Sequence, residues 1–432
     1  MLRNRKALVI TIVLVVVAAL IVVGLNIGKS NSNKHMAGKD GEVENSPTQS
    51  IKNTIEPSPV ETPSNTAESG AEDEQSTDTK NNGDTIPEKK EVKAKAIYLT
   101  GSSAGNKTFL AITINMVNAT ELNAVVIDVK EDGRVNYKSE VEQVKEIGAF
   151  HELYDVDYVI KTLHENDIYV IARIVVFRDN YLARKRADLA VKRPDGSIWK
   201  ENGSIAWTNP YNSEVWKYNM AIAKEAVEKG FDEIQFDYVR FPTARKSDVN
   251  YGENVPSKEE AISGFLAESG KELNDLGVPV SADVFAIICE SPGDTEGIGQ
   301  VLESIGKDID YISPMIYPSH YANNSKGMMG NGVGQGINGV LFTAPDLKPY
   351  EVVYNALLKT KDRISKVEGY RANVRPYLQD FTASYLPEGY YQTYGPEQIR
   401  QQIKAVYDAG YEEWILWNAT NNYKEAAFLK EE

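Results

Sequence analysis

The chain has 432 residues with 62 Asp and Glu against 47 Lys and Arg, a formal net charge of −15. That balance argues against nucleic acid and strongly anionic polymers as direct ligands and suits a neutral or basic partner better. The single cysteine, Cys289, excludes an internal disulfide, and the four histidines, His35, His151, His164 and His320, are too scattered for a His-rich metal centre.

Arg3, Arg5 and Lys6 precede an uncharged apolar run from Ala7 to Ile27. At 1.5 Å per helical residue this run is long enough to cross a hydrocarbon core of about 30 Å. Basic residues before it and acidic sequence after it place the N-terminus inside and the remainder outside. No A-x-A cleavage site follows, so residues 1–28 read as an uncleaved signal anchor rather than a cleaved signal peptide. Residues 29–93 are rich in Ser, Thr, Asn, Pro, Glu and Lys and cannot bury enough apolar surface to offset chain entropy. They are expected to form a disordered linker, extended around the Pro-containing run from Glu56 to Asn65.

From Ala94 to residue 432 the composition is that of a globular domain, and periods of two and of three to four residues alternate. Strands are expected at Ala94–Gly101, Asn123–Lys130, Ile168–Phe177, Phe231–Pro242, Val278–Phe285, Asp310–Pro318, Ala372–Phe381 and Glu412–Thr420. Helices are expected at Phe109–Ala119, Val156–Asn166, Ser213–Lys229, Ser257–Leu276, Glu296–Lys307, Pro349–Val367, Pro396–Ala409 and Asn422–Lys430. Eight strands alternating with helices imply the α/β class and a TIM (β/α)8 barrel. An open doubly wound sheet is the main rival. It would ordinarily have fewer strands, and no Gly-rich dinucleotide turn follows the first strand, so no cofactor is expected.

In a parallel barrel the C-terminal strand ends carry the chemistry. In FDEIQFDYVRFP (Phe231–Pro242), Ile234, Phe236 and Tyr238 share one face and Gln235 and Asp237 the other, which points a carboxylate inward at the catalytic end. The bland reading has Asp237 capping the next segment or pairing with Arg240. The other strand ends offer Asp128 and Lys130, Arg173, Asp283, Tyr317, Gln379 or Asp380, and Trp417 with Asn418. Carboxylates, one or two cations, amides and aromatics suit glycoside cleavage, which needs two carboxyl groups flanking the scissile bond plus groups that hold the ring. Trp199 and Trp207 lie in a polar, turn-rich loop. Trp207 is a candidate sugar platform, and a small satellite core under the loop is the alternative for both rings. The Gly-rich run from Gly327 to Gly339 is either a mobile loop over the site or an insertion without function. No G-x-S-x-G elbow is present, and Cys289 reads as a packed thiol.

The motifs AIYLTG, VVIDVKEDGRVNY, IYVIARIVVFRD, WTNPY, FDEIQFDYVRFP, ISPMIYPSHY, RPYLQDF and WILWNAT, in that order, resemble the bacterial family described as putative glycosyl hydrolases, a TIM-barrel group related to glycoside hydrolase barrels. By analogy with related barrels, the resemblance implies Asp237 as nucleophile or base. It implies Asp283 as the acid, where amylase-like barrels carry Glu, with Glu290 as a loop alternative. Asp128, Arg173, Trp207, Arg240, Tyr317, Gln379 and Trp417 are then the expected substrate contacts. The partner is expected to be a polysaccharide or oligosaccharide, with the membrane engaged through the N-terminal helix. The expected function is extracellular glycoside hydrolysis. The alternative is a barrel that binds glycan without cleaving it.

Overall fold

The structure, a computed structural model, describes residues 92–321 and 334–429. The expected membrane segment, nearly all of the expected linker and the first part of the Gly-rich run lie outside these residues. Among the described residues no helix is long and apolar enough to cross a membrane.

Eight parallel strands form the centre: β1 (Lys95–Leu99), β2 (Ala124–Glu131), β3 (Tyr169–Val175), β4 (Glu233–Asp237), β5 (Val280–Phe285), β6 (Tyr311–Ile316), β7 (Tyr377–Gln379) and β8 (Trp414–Trp417). Each pairs with its neighbours in chain order, and β1 pairs with both β2 and β8, in the registers Ala96↔Ala124 and Ala96↔Ile415. The sheet is therefore closed, which rules out the doubly wound alternative. β7 is short because Arg375 and Pro376 separate it from a two-residue stretch, Asn373–Val374, that pairs with β6.

Strand alternation sorts the side chains into two cores. Ile97, Val125, Ile127, Val170, Ile234, Phe236, Ala282, Ile312 and Leu378 face outward and pack with the surrounding helices. Ala96, Tyr98, Ala124, Val126, Tyr169, Ile171, Tyr377 and Ile415 fill the barrel interior. The outer layer is made by α1 (Lys107–Ala119), α2 (Val156–His164), α3 (Ser213–Glu228), α4 (Lys258–Asn274), α5 (Leu302–Ile305), α6 (Pro349–Ile364) and α7 (Pro396–Asp408). Their starts follow local chemistry. Asn106, Asp155 and Asn212 accept from backbone N–H groups of α1, α2 and α3, Ser257 and Glu260 close a capping box on α4, and proline opens α6 and α7.

Two helical expectations shorten. The eighth helix is only a 3-10 turn, Glu425–Ala427, from which Phe428 stacks on Trp414. The expected helix from Glu296 survives only as α5. Gly297 and Gly299 adopt φ of 67° and 82°, a Cβ on Gly299 would lie 2.6 Å from the Lys258 carbonyl oxygen, and Asp294 Oδ1 accepts from both the Ile298 and Gly299 N–H groups. Residues 291–300 are thereby held as a loop at the C-terminal end of the barrel.

At the N-terminal end, Arg375 is sealed inside, paired with Glu233 and lying 3.7 Å from Glu413, with Ser281 Oγ donating to Glu233 at 2.6 Å. That end is closed by a buried, ion-paired cluster in which Arg375 Nε and Nη1 lack hydrogen-bond partners, and the strand-end carboxylates Asp237 and Asp283 lie at the other.

Candidate active site

β2 reaches the C-terminal rim through a bulge: Asp128 pairs with Arg173, yet Lys130 pairs with the very next residue of β3, Ile174. The extra residue reverses the alternation. Lys130 therefore turns away from the axis and is fully buried, 2.6 Å from Asp179 and 2.9 Å from Asn219 Oδ1, so it is not part of the strand-end set in which the sequence placed it. Glu131, absent from that set, turns inward and accepts from Arg173 Nη1 at 2.7 Å. A two-residue turn with positive φ at Asp132 and Gly133 sends the chain back to pair with Glu131.

Arg173, on β3, is the centre of the site. Its Nη1 donates to Asp128 Oδ1 at 2.5 Å and to Glu131, and its Nη2 and Nε donate to Asp237 Oδ2 at 2.5 and 3.0 Å. Asp283 Oδ2 lies 4.0 Å from the same Nε. Those two aspartate oxygens are thus no more than about 7 Å apart, the sum of their distances to Nε, within reach of the separations used in two-carboxylate glycoside cleavage. Four carboxyl groups around one guanidinium cannot all ionise without strong repulsion. Burial, then the Asp237 carboxylate, push Asp283 well above the usual carboxylate range despite the pull of Arg173. Asp283 Oδ1 is buried without a hydrogen-bond partner. Burial also raises Glu131, to about 7, although 42% of its side chain still meets solvent and tempers that push.

β4 ends at Asp237, one residue before the expected outward Tyr238. Tyr238 has φ of 50°, and its N–H donates to Asp237 Oδ1 at 2.5 Å. This left-handed residue, an uncommon conformation for a large side chain, brings the phenol ring to the cavity wall, edge-on to the buried Trp207. Gln300 ties the strand ends together, donating to the Asp283 and Val239 carbonyl oxygens and accepting from Phe285 N–H.

The strand ends open into a cavity of about 320 Å³ whose lining includes Arg173, Asp237, Arg240, Asp283, Tyr317 and Trp417. Trp417 is half-buried, with Tyr98 stacked at 6.3 Å, Phe381 edge-on at 5.4 Å and Tyr317 tilted at 6.0 Å. His320 also lines the cavity, and burial lowers its pKa to about 4, so the ring is neutral at ordinary pH. A larger open depression of about 640 Å³, lined by Arg184, Arg193 and Lys200 on the β3–α3 insertion, contains none of the strand-end carboxylates. Among the described residues no group of His, Cys, Asp and Glu is arranged to hold a metal ion.

Several expected contacts lie elsewhere. Trp207 is fully buried, its Nε1–H directed at Glu201 and its ring under Arg240, so the polar loop around it encloses a satellite core and the ring cannot meet a sugar. Gln379 joins two loops by accepting from Ser319 N–H and donating to Asp346 and the Phe381 carbonyl, away from the cavity. Asp128 also lies behind the cavity wall, where it accepts from Tyr98 and Arg173 and so fixes the guanidinium. Asp237 pairs with Arg173 and not with Arg240. Glu290 accepts from Asn338 N–H of the Gln335–Phe342 hairpin and does not line the cavity. Glu296, expected at the start of a helix, does line it. Its Oε2 is buried without a hydrogen-bond partner, and burial raises its pKa. The signal for it was the GDTEGIG run, whose glycines mark a loop.

None of the curated proteins compared matches the chain. Among solved structures, a hypothetical protein from Ruminiclostridium thermocellum ATCC 27405 is 46% identical over 44% of this chain and 97% of its own, with a TM-score of 0.41. The glycoside hydrolase domain of PgaB (BpsB) from Bordetella bronchiseptica shares the fold, with a TM-score of 0.52 and 13% identity over 78% of this chain and 99% of that one. The spore cortex-lytic enzyme SleL of Bacillus megaterium QM B1551 gives a TM-score of 0.44 and 15% identity over 77% of this chain and 72% of its own. Residues 96–423, spanning the whole barrel, match the family described as "putative glycosyl hydrolase domain", and the chain belongs to that family.

Proposed function

We propose that the barrel hydrolyses a glycosidic bond with Asp237 as nucleophile or base and Asp283 as proton donor. The observation that carries this reading is that both carboxyl groups line one cavity, at neighbouring strand ends, each with an oxygen within 4.0 Å of Arg173 Nε. The environments differ as an acid–base pair requires. Asp237 forms a two-nitrogen ion pair with Arg173, whereas Asp283 is buried, lacks a partner on Oδ1 and favours its neutral form. In cleavage the Asp283 proton passes to the glycosidic oxygen as its bond to the anomeric carbon breaks. An Asp237 oxygen then either bonds that carbon or takes a proton from the attacking water. Trp417, framed by Tyr98, Tyr317 and Phe381, offers the apolar face against which a pyranose ring packs.

The basic flank and the uncharged run Ala7–Ile27 support an anchored protein whose barrel lies outside the cell. Protease added to intact cells is expected to remove the barrel, and protection of the barrel would contradict this topology. For the chemistry, release of reducing ends from a panel of polysaccharides is the test. The parent is expected to act on at least one, and Asp283→Asn to lose activity most on glycans with poor leaving groups, where proton donation matters most. Unchanged turnover of such glycans by Asp283→Asn would remove Asp283 from the acid role.

A further inference from the structure

Arg240 follows β4, lines the cavity shared by Asp237 and Asp283, and is 2% exposed. Its guanidinium lies 4.6 Å from the Phe285 ring centroid, 4.8 Å from that of Trp207 and 5.2 Å from that of Tyr238. Three aromatic faces therefore fix a desolvated cation at the cavity wall. Among the described residues its one hydrogen bond runs from Nη1 to the Phe241 carbonyl at 2.9 Å, and no carboxylate pairs with it. A guanidinium has five N–H donors, so most of this fork is uncommitted.

The other buried arginines of the barrel are treated differently. Arg173 meets Asp128, Glu131 and Asp237, and Arg375 meets Glu233 and Glu413. Burying a cation without a counter-charge is costly, and a fold that twice supplies carboxylates withholds them here. A ligand that brings its own anion resolves the imbalance.

We propose that Arg240 is an anion subsite that receives the carboxylate of an acidic sugar, such as a uronic acid residue, bound beside the Asp237–Asp283 pair. The inference rests on the reading of this cavity as the sugar site. A planar carboxylate matches the guanidinium fork with two parallel hydrogen bonds. A monoanion also suits a cavity that carries Asp237, Asp283 and Glu296 better than a doubly charged phosphate would. The chain's net charge of −15 does not oppose this local recognition, because at physiological salt distant surface charges are screened beyond about 8 Å.

The test uses full-length protein and two probes, methyl glucuronoside and methyl glucoside, which differ by a carboxylate in place of a hydroxymethyl group. Binding of each, as both anomers, is measured by NMR titration. The parent is expected to bind the glucuronoside about tenfold or more tighter, the scale of a charge-assisted hydrogen-bond pair. Arg240→Met should bind both probes equally, and Arg240→Lys, which keeps the charge and loses the fork, should retain only part of the preference. Thermal unfolding checks that each variant is folded, and the lysine variant carries the test if the methionine variant is not. Equal binding by the parent overturns the anion inference while leaving the sugar site intact. Binding of neither probe overturns both readings. A preference that survives undiminished in the variants removes Arg240 from the subsite.

Discussion

Arg173 holds a single oxygen of Asp237 with two nitrogens, Nη2 at 2.5 Å and Nε at 3.0 Å. The grip fixes the carboxylate's direction and leaves Oδ1 with only the Tyr238 N–H, so one lone-pair direction on that oxygen can meet substrate or water. Asp128 and Glu131 hold the same guanidinium from behind. In the proposed reaction, an aspartate oriented this firmly would leave little reorganisation to be made at the transition state.

The two candidate sugar platforms separate by burial. Trp207→Ala should cost about 3–5 kcal/mol of stability, the usual cost of truncating a core aromatic, with bound-sugar affinity unchanged in the folded fraction. Trp417→Ala should weaken oligosaccharide binding about tenfold with a much smaller stability loss, because its ring is only half-buried. Denaturant unfolding and calorimetric titration of both variants decide the matter, and the reverse pattern would return Trp207 to the site.

Lys130 tests the bulge. Its ammonium is buried against Asp179 and Asn219, outside the cavity. Lys130→Met leaves the Asp179 charge buried without its partner and should destabilise the fold by about 3–5 kcal/mol. Adding Asp179→Asn, which keeps an acceptor for the Leu182 N–H, should recover part of the loss. A Lys130→Met protein of parental stability would show that the pair is not enclosed as described.

Which side chains could be placed from the sequence, and which could not, has a physical origin. Asp237 and Asp283 were legible because each stands at the end of a run in which hydrophobes occupy every other position, and Gln235 and Ser281 precede them on the inward face. Eight repeats of that rhythm made the closed barrel legible as well. Lys130 and Glu131 exchanged faces because a bulge inserts one residue, which alternation alone cannot reveal. Glu296 was hidden by the helical pattern of the segment it opens, which masked the loop that the left-handed Gly297 and Gly299 impose. Trp207 sits among polar neighbours in the sequence, yet Glu201 and Arg240 are themselves buried and serve as its partners in a small core.

Asp380 gives a prediction about pH. The residue is buried, Oδ2 lacks a hydrogen-bond partner, and burial raises its pKa from the usual aspartate value to about 7. The folded state therefore holds a proton that the unfolded state releases near pH 4, so this contribution is fully present below about pH 4 and is lost as pH rises towards 7. Asp380→Asn should remove that loss. Its melting temperature should exceed the parent's at pH 8 and approach or fall below it at pH 4. Parallel melting curves for the two proteins across that range would contradict the assignment.

Turnover by Asp237→Asn, measured alongside binding of the same glycan, tests the central claim most directly. The substitution keeps the shape of the side chain and an acceptor for Arg173 while removing the carboxylate proposed to attack carbon or deprotonate water. The catalytic rate is expected to fall by at least about 10³-fold, with affinity for the glycan changed much less. Hydrolysis at the parental rate by a folded Asp237→Asn protein would contradict the assignment.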